Sequence, residues 1–277
     1  MISPKQLLKR AALAPLRLEP VRSRVAFWLN QEHYPELDIR VPLSHGLVCP
    51  VYSPEYWCSF SEIFVNGEYG PAFEMMPLPN RWIDLGCHAG FFSLYVEWRR
   101  RQAGIMTAPE CVLVDADARL GKAIAQMASV NAVPFRFLRG GIGGRQPTME
   151  FTERAFMASS ASDVDQNDGT RMVIPTVAAL ALEKSLNGAC DLLKVDIEGS
   201  EYELLENYGS LLSRTRHLLL EWHSWHRGGG GKTQLIEMAK THGHELKAEV
   251  KAEHEVAKGK HCGVLLFENS RLQERAA

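Results

Sequence analysis

Trp82-Ile83-Asp84-Leu85-Gly86-Cys87-His88-Ala89-Gly90-Phe91-Phe92-Ser93-Leu94 runs from a short apolar strand, through a glycine-spaced turn, straight into a helix. Downstream, Cys111-Val112-Leu113-Val114-Asp115 reads as a second strand that ends in a carboxylate. Glycine has no Cβ, so at Gly86 and Gly90 the backbone can pass close to a ligand. The free N–H groups that open the following helix attract an anionic group such as an amino acid carboxylate. Asp115, at the carboxyl end of the neighbouring strand, is placed to accept both hydroxyls of a ribose.

Together these features read as a pocket for S-adenosylmethionine. A nicotinamide enzyme also sets an acid on the ribose, but its glycines follow G-x-G-x-x-G. Here the spacing is Asp84-x-Gly86-x-x-x-Gly90, which favours the methyl donor. An ordinary strand-to-helix turn would explain two loop glycines but not Asp115.

Composition sets the outer limits. A chain of 277 residues with 45% hydrophobic content can bury one large core, or one domain with an N-terminal elaboration. A net charge of −2 argues against a generic polyanion binder, so no nucleic acid partner is expected. The six cysteines are scattered without a C-x-x-C pair, several inside apolar strand patterns, and read as free thiols in a reducing compartment. The first residues are basic (Lys5, Lys9, Arg10, Arg17, Arg22, Arg24) but hold no apolar run long enough for a signal peptide or membrane span. That leader reads as a solvated helix, and the protein as soluble and cytoplasmic.

After residue 80 the pattern alternates strand and helix, which predicts a mostly parallel sheet covered on both faces. Helices are expected over 91–102, 118–132, 177–186, 201–212 and 233–241. Between them fall strands at 135–138, 148–152, 172–175, 191–197 and 217–223. Two closing strands near 245–250 and 263–267 are set to form an antiparallel pair at the sheet edge. The polar run 158–170 reads as a mobile surface loop. Residues 1–80 read as a cap attached to the core: a hairpin across Ser44-His45-Gly46, then a helical stretch around Tyr56 to Phe64. The expected division is a cap at 1–80, a donor-binding domain at 81–270 and a tail at 271–277.

A second cluster is Asp191-Leu192-Leu193-Lys194-Val195-Asp196-Ile197-Glu198-Gly199-Ser200-Glu201. A buried strand that carries a lysine and ends in acids needs charge pairing or a chemical task. Acids at a helix start also complement its dipole, which accounts for Glu201 better than for Asp196. Ligands of open α/β sheets sit beyond the carboxyl ends of strands, so Asp196 and Glu198 should face the same crevice as Gly86. Glu221-Trp222-His223 ends the next strand. A neutral imidazole there can act as general base, which makes His223 a catalytic candidate beside Asp196 and Glu198, although a structural histidine bonded to a neighbour fits equally. Asp196 with Glu221 or His223 can also ligate a divalent metal; spacing alone does not decide it, and the metal-free reading is preferred. The run Gly228-Gly229-Gly230-Gly231-Lys232-Thr233 lacks the first glycine of a phosphate-binding loop, where His226 stands, and reads as a flexible connection.

The order WIDLGCHAGFFSL, VDAD, DLLKVDIEGSEYELL and LLLEWH resembles the FkbM family of S-adenosylmethionine-dependent methyltransferases, over roughly residues 40–270. The resemblance implies a class I methyltransferase, a Rossmann-like α/β fold with a seven-stranded mostly parallel sheet and an antiparallel edge strand. It implies methylation of a hydroxyl on a sugar, glycolipid or secondary metabolite, hence a small-molecule or glycan acceptor. Carried over by position, Asp84, Gly86 and Gly90 line the methionine end of the donor, with His88 and Ser93 in the same stretch. Asp115 takes the ribose, and Gly141 and Ile142 the adenine side. Asp196, Glu198 and Glu201 match the family's acidic block. The family usually has Asn where His88 stands and Glu-Pro where Asp115-Ala116 stands. The alternatives are a nitrogen or carboxylate acceptor, a nicotinamide-dependent oxidoreductase, and a non-catalytic binding module on the same fold.

Overall fold

A computed structural model of the chain describes residues 14, 18, 34–153, 170–225 and 231–273. The basic leader, most of the polar run at 158–170, the glycines at 228–230 and the end of the tail lie outside the described residues. At the centre of the sheet is β3 (Arg81–Leu85), flanked on one side by β4 (Glu110–Asp115) and β5 (Phe135–Arg139). On its other side lie β8 (Cys190–Val195), β9 (Thr215–His223), β11 (Lys260–Asn269) and, at the edge, β10 (His244–Ala257). β3, β4, β5, β8 and β9 pair in parallel; β11 runs antiparallel to both β9 and β10. The antiparallel pair thus closes the sheet as expected, with the last strand inserted inside the one before it.

Both faces are covered because the strands are apolar at successive positions, and successive side chains point to opposite faces. Trp82, Cys111, Leu113 and Leu192 join one core, while Ile83, Val112, Val114 and Leu193 join the other. Helices α3 (Phe91–Gln102) and α4 (Leu120–Asn131) cover the first face. The second is packed by α5 (Ala179–Glu183), α6 (Glu201–Asn207), α7 (Gly209–Ser213) and α8 (Gly231–Thr241).

The N-terminal elements share the first core. β1 (Ile39–Pro42) and β2 (Val48–Val51) form the expected antiparallel hairpin, followed by α1 (Pro54–Phe60), a π-helical turn at Ser61–Val65 and α2 (Gly70–Met75). Leu47, Val51, Tyr56, Tyr69 and Phe73 bury with Trp82, Phe92, Leu94 and Tyr95. Asn131, only 3% exposed, fastens the hairpin: its Oδ1 accepts from the Val48 N–H at 2.8 Å and its Nδ2 donates to the Val48 carbonyl at 2.9 Å.

The structure departs from the expected elements in three places. The expected helix at 201–212 is broken into α6 and α7 at Tyr208, whose buried hydroxyl donates to the Val177 carbonyl at 2.7 Å. The helix expected at 177–186 is confined to α5, after an extended Ala178. β6 (Thr148–Glu153) and β7 (Thr170–Pro175) pair with each other outside the main sheet. No helix among the described residues is long and apolar enough to cross a membrane.

Replacing Asn131 by Ala strands both polar groups of Val48 in a nearly dry site. The expected loss of stability is about 1–3 kcal/mol, read from the urea midpoint at unchanged m-value.

Candidate active site

The chain leaves β3 in one direction, through β4 to β5, and returns on the other side at β8, so the crevice opens where β3 and β8 part. The backbones approach closely there. A Cβ placed on Gly86 would lie 1.6 Å from the Asp196 carbonyl oxygen, and Gly86 itself has φ +69°. Only glycine fits this position. Beside it, His88 and Glu198 also take left-handed backbone, with φ 47° and 53°.

A cavity of about 290 Å³ lies over this junction, lined by Gly86, His88, Asp115, Gly141, Ile142 and Glu198 among others. Ser53 and Tyr56 of the N-terminal segment and Met149 and Phe151 of β6 complete its walls. Asp115 is fixed by two backbone donors: His88 N–H reaches Oδ2 and Asp117 N–H reaches Oδ1, each at 2.9 Å. Burial pushes its carboxyl up to about 6, with those two bonds pulling the other way. Burial likewise lowers His88 to about 4, so its ring is neutral at pH 7; Nδ1 pairs with Ser59 Oγ at 3.2 Å.

Asp84, Gly90 and Ser93, expected along the donor, do not line this cavity. A Cβ on Gly90 would meet Met127 and Leu113 at 2.6 and 2.9 Å, so this glycine serves the packing of α3 against β4 and α4. Asp84 is fully buried and accepts from Ser93 Oγ at 2.8 Å, while Ser93 accepts from Trp82 Nε1 at 3.0 Å. Their polar atoms act beneath the floor. There the Lys194 ammonium stands 3.6 Å from Asp84 Oδ1 and 3.1 Å from Asp196 Oδ2, and donates to the Gly86 carbonyl at 3.1 Å. Burial would lower the Lys194 pKa, but Asp196 and Asp84 raise it further, so the ammonium stays charged.

On the other side of Asp196 lies the acidic block. Glu201 Oε1 accepts from the Ile197 and Gly199 N–H groups at 3.3 and 3.2 Å and pairs with His223 Nδ1 at 2.8 Å. His223 Nε2 points at Asp196 Oδ1, 3.9 Å away. Burial alone would lower the pKa of this histidine, yet Glu201, Glu198 and Asp196 together raise it to about 10. That raised pKa favours the charged ring over the neutral imidazole that a general base requires. Burial lifts Glu198 to about 7, against the pull of His223. Burial and the Asp196 charge lift Glu221 to about 8, and Tyr69 donates to Glu221 Oε2 at 3.4 Å. Asp196, Glu221 and His223 each present one donor atom within 4.8 Å of the others. The Trp225 ring packs 4.5 Å from that of His223. His226 is outside the described residues.

Tyr69 is a site neighbour that the sequence did not disclose. It lies before the strand–helix repeat, in the stretch FSEIFVNGEYG that resembles the family's lead-in helix, and only the folded cap carries it to Glu221.

The model of the methyltransferase FkbM domain matches residues 84–253, more than half of the chain and all of the crevice between Gly86 and His223. The chain belongs to the FkbM methyltransferase family. Its fold is the class I methyltransferase fold, and it is a methyltransferase enzyme. Solved structures give only distant likenesses. Magnesium protoporphyrin IX methyltransferase from Synechocystis PCC 6803, with bound SAM, aligns over 90% of this chain and 97% of its own at 12% identity and TM-score 0.44. TehB from Haemophilus influenzae aligns over 76% and 66% at 11% identity and TM-score 0.45. TrmK from M. capricolum, in complex with S-adenosyl-homocysteine, aligns over 68% and 62% at 9% identity and TM-score 0.38. No curated protein matches the sequence.

Lys194→Met tests the support under the floor. Removing the cation leaves Asp84 and Asp196 buried without their common partner, and breaking such a pair costs about 3–5 kcal/mol. Chemical denaturation should register that loss at neutral pH.

Proposed function

We propose that this methyltransferase moves the methyl group of S-adenosylmethionine to a hydroxyl of a small polyol-like acceptor, a sugar, glycolipid or secondary metabolite. The observation that carries this reading is Asp196. Its backbone carbonyl touches the place a Gly86 Cβ would fill, and its carboxylate faces His223, so donor cradle and acid block meet at one residue.

The residues present fit the donor. Asp115 has both oxygens oriented by backbone N–H groups, which leaves its remaining lone pairs to take two ribose hydroxyls. Gly141 and Ile142 would wall the adenine side, opposite Tyr56. Gly86 and the turn after β3 would hold the amino acid end. When bound, the donor supplies a methyl already activated by a sulfonium charge. The chain then has to align an oxygen with it, exclude water and accept a proton.

Glu198 is the group best placed for that proton. It lines the cavity and lies two residues beyond Asp196. His223 keeps Glu201 and the strand end in place and does not take the proton. In this reading residues 81–270 hold the donor and residues 34–80 cover it.

Asp115→Asn keeps the shape but removes the charge that accepts the ribose hydroxyls, a class of bond worth ~1.5–3 kcal/mol, so SAM affinity should fall roughly tenfold to a hundredfold by calorimetry. A carboxyl displaced upward to about 6 protonates early as pH falls. Wild-type affinity should therefore weaken as pH drops through that value and level off above it, while the Asn variant stays flat. Glu198→Gln should lower kcat by ~10²–10⁴ with SAM affinity unchanged. Mass spectrometry of products from SAM and a panel of hydroxylated, amino and carboxylate acceptors tests the acceptor class. Methyl found only on nitrogen or carboxylate overturns the hydroxyl reading.

A further inference from the structure

We propose that Asp196, Glu221 and His223 bind a divalent, oxygen-preferring cation of the Mn²⁺ or Mg²⁺ kind at the acceptor side of the crevice. The sequence placed these residues on neighbouring strand ends, and the fold brings one ligand atom from each within 4.8 Å of the others. One cation with bonds of about 2.0–2.6 Å can span such a group. Two carboxylates and an imidazole are a donor set for hard or borderline ions, not for the soft ions that seek thiolate.

The orientation of His223 is an independent observation. The side chain is 3% exposed, and its Nδ1 is committed to Glu201 at 2.8 Å. That bond aims Nε2 at Asp196 and Glu221. There Nε2 makes no hydrogen bond among the described residues: the Asp196 Oδ1 that it faces is 3.9 Å away, too far for one. A carboxylate holding one ring nitrogen so that the other faces an ion is the usual support of a metal-binding histidine. An arriving ion would take the Nε2 lone pair, its proton passing to solvent, while the Nδ1–H still donates to Glu201.

Charge points the same way. Among the described residues, Asp84, Asp196, Glu201 and Glu221 gather around Lys194 and His223. Lys251 is paired with Glu68. Lys194 approaches Asp196 through Oδ2, whereas Oδ1 faces His223, so lysine and ion take different oxygens. Carboxylates in excess in a poorly solvated crevice favour a cation. Resting on the methyl-transfer reading, the ion would attract the acceptor hydroxyl and ease loss of its proton.

The test is binding, not turnover. Mn²⁺ titrated into the purified full-length protein and followed by electron paramagnetic resonance should fill one site per chain. Glu221→Gln and His223→Gln should each weaken that site roughly tenfold or more, whereas the surface variant Glu74→Gln leaves it unchanged. On the wild-type protein, spin-echo modulation from a directly bound histidine nitrogen should accompany the Mn²⁺ signal, which needs no variant to fold. A wild-type chain with no Mn²⁺ site, with Mn²⁺ lacking nitrogen coupling, or with variants that bind SAM and Mn²⁺ like wild type overturns the site. SAM calorimetry on the same samples separates the two readings: absent SAM binding with Mn²⁺ retained sinks the donor assignment and spares the cation site.

Discussion

The ammonium of Lys194 is the constraint on which the site depends. In the parallel pairing of β3 with β8, Asp84 and Lys194 stand opposite each other, so a charge pair sits at the junction of the two central strands. A slip of one residue would turn Lys194 into the opposite, largely apolar core, away from Asp84, and the cost of an unpaired buried charge disfavours that register. With the register pinned, the strand ends are fixed in height, and the turn after β3 meets the turn after β8 at Gly86 and Asp196. In the low dielectric of the interior the same cation also holds the Gly86 carbonyl and one Asp196 oxygen. Fold specificity and site geometry are thus served by one group.

Much of this was legible in the chain. Alternating strands and helices, the glycine-spaced turn and the acid at the end of β4 identify the sheet and the donor side, because those features have local causes. The strand-end rule set Asp196 and Glu198 beside Gly86, where both line the cavity, while His223 approaches Asp196 from the neighbouring strand without lining it. What was not legible depends on which face a side chain takes and on summed charge. Gly90 and Gly86 share a motif, yet one answers to Met127 and the other to Asp196. Ser93 and Asp84 look like ligand contacts from spacing but are joined to Trp82 and Lys194 below the floor. The charge on His223 follows from Asp196, Glu198 and Glu201, which the sequence groups after β8, but only the fold brings that turn against the end of β9.

The walls of the cavity also have mixed origins. The sheet supplies the floor, while Tyr56 comes from α1 and Phe151 from the β6–β7 pair, neither part of the central sheet. These walls have no backbone ladder to the site, so they can vary in sequence without disturbing the strands that hold Asp115 and Asp196. The left-handed backbone at His88 adds a local limit. Asn, usual at this position in the family, is among the residues that tolerate such backbone best, and histidine is another.

The outermost strand, β10, raises a separate matter. Its free side offers backbone donors and acceptors to any other extended chain, a hazard for recruitment and aggregation. Four register irregularities against β11 break its regular rise, and Glu245, Lys247, Glu249, Lys251, Glu253 and Glu255 alternate along it. A second strand docking there would meet a kinked ladder and a fence of charge. The seven-stranded sheet therefore ends on an edge ill suited to extension by a further strand.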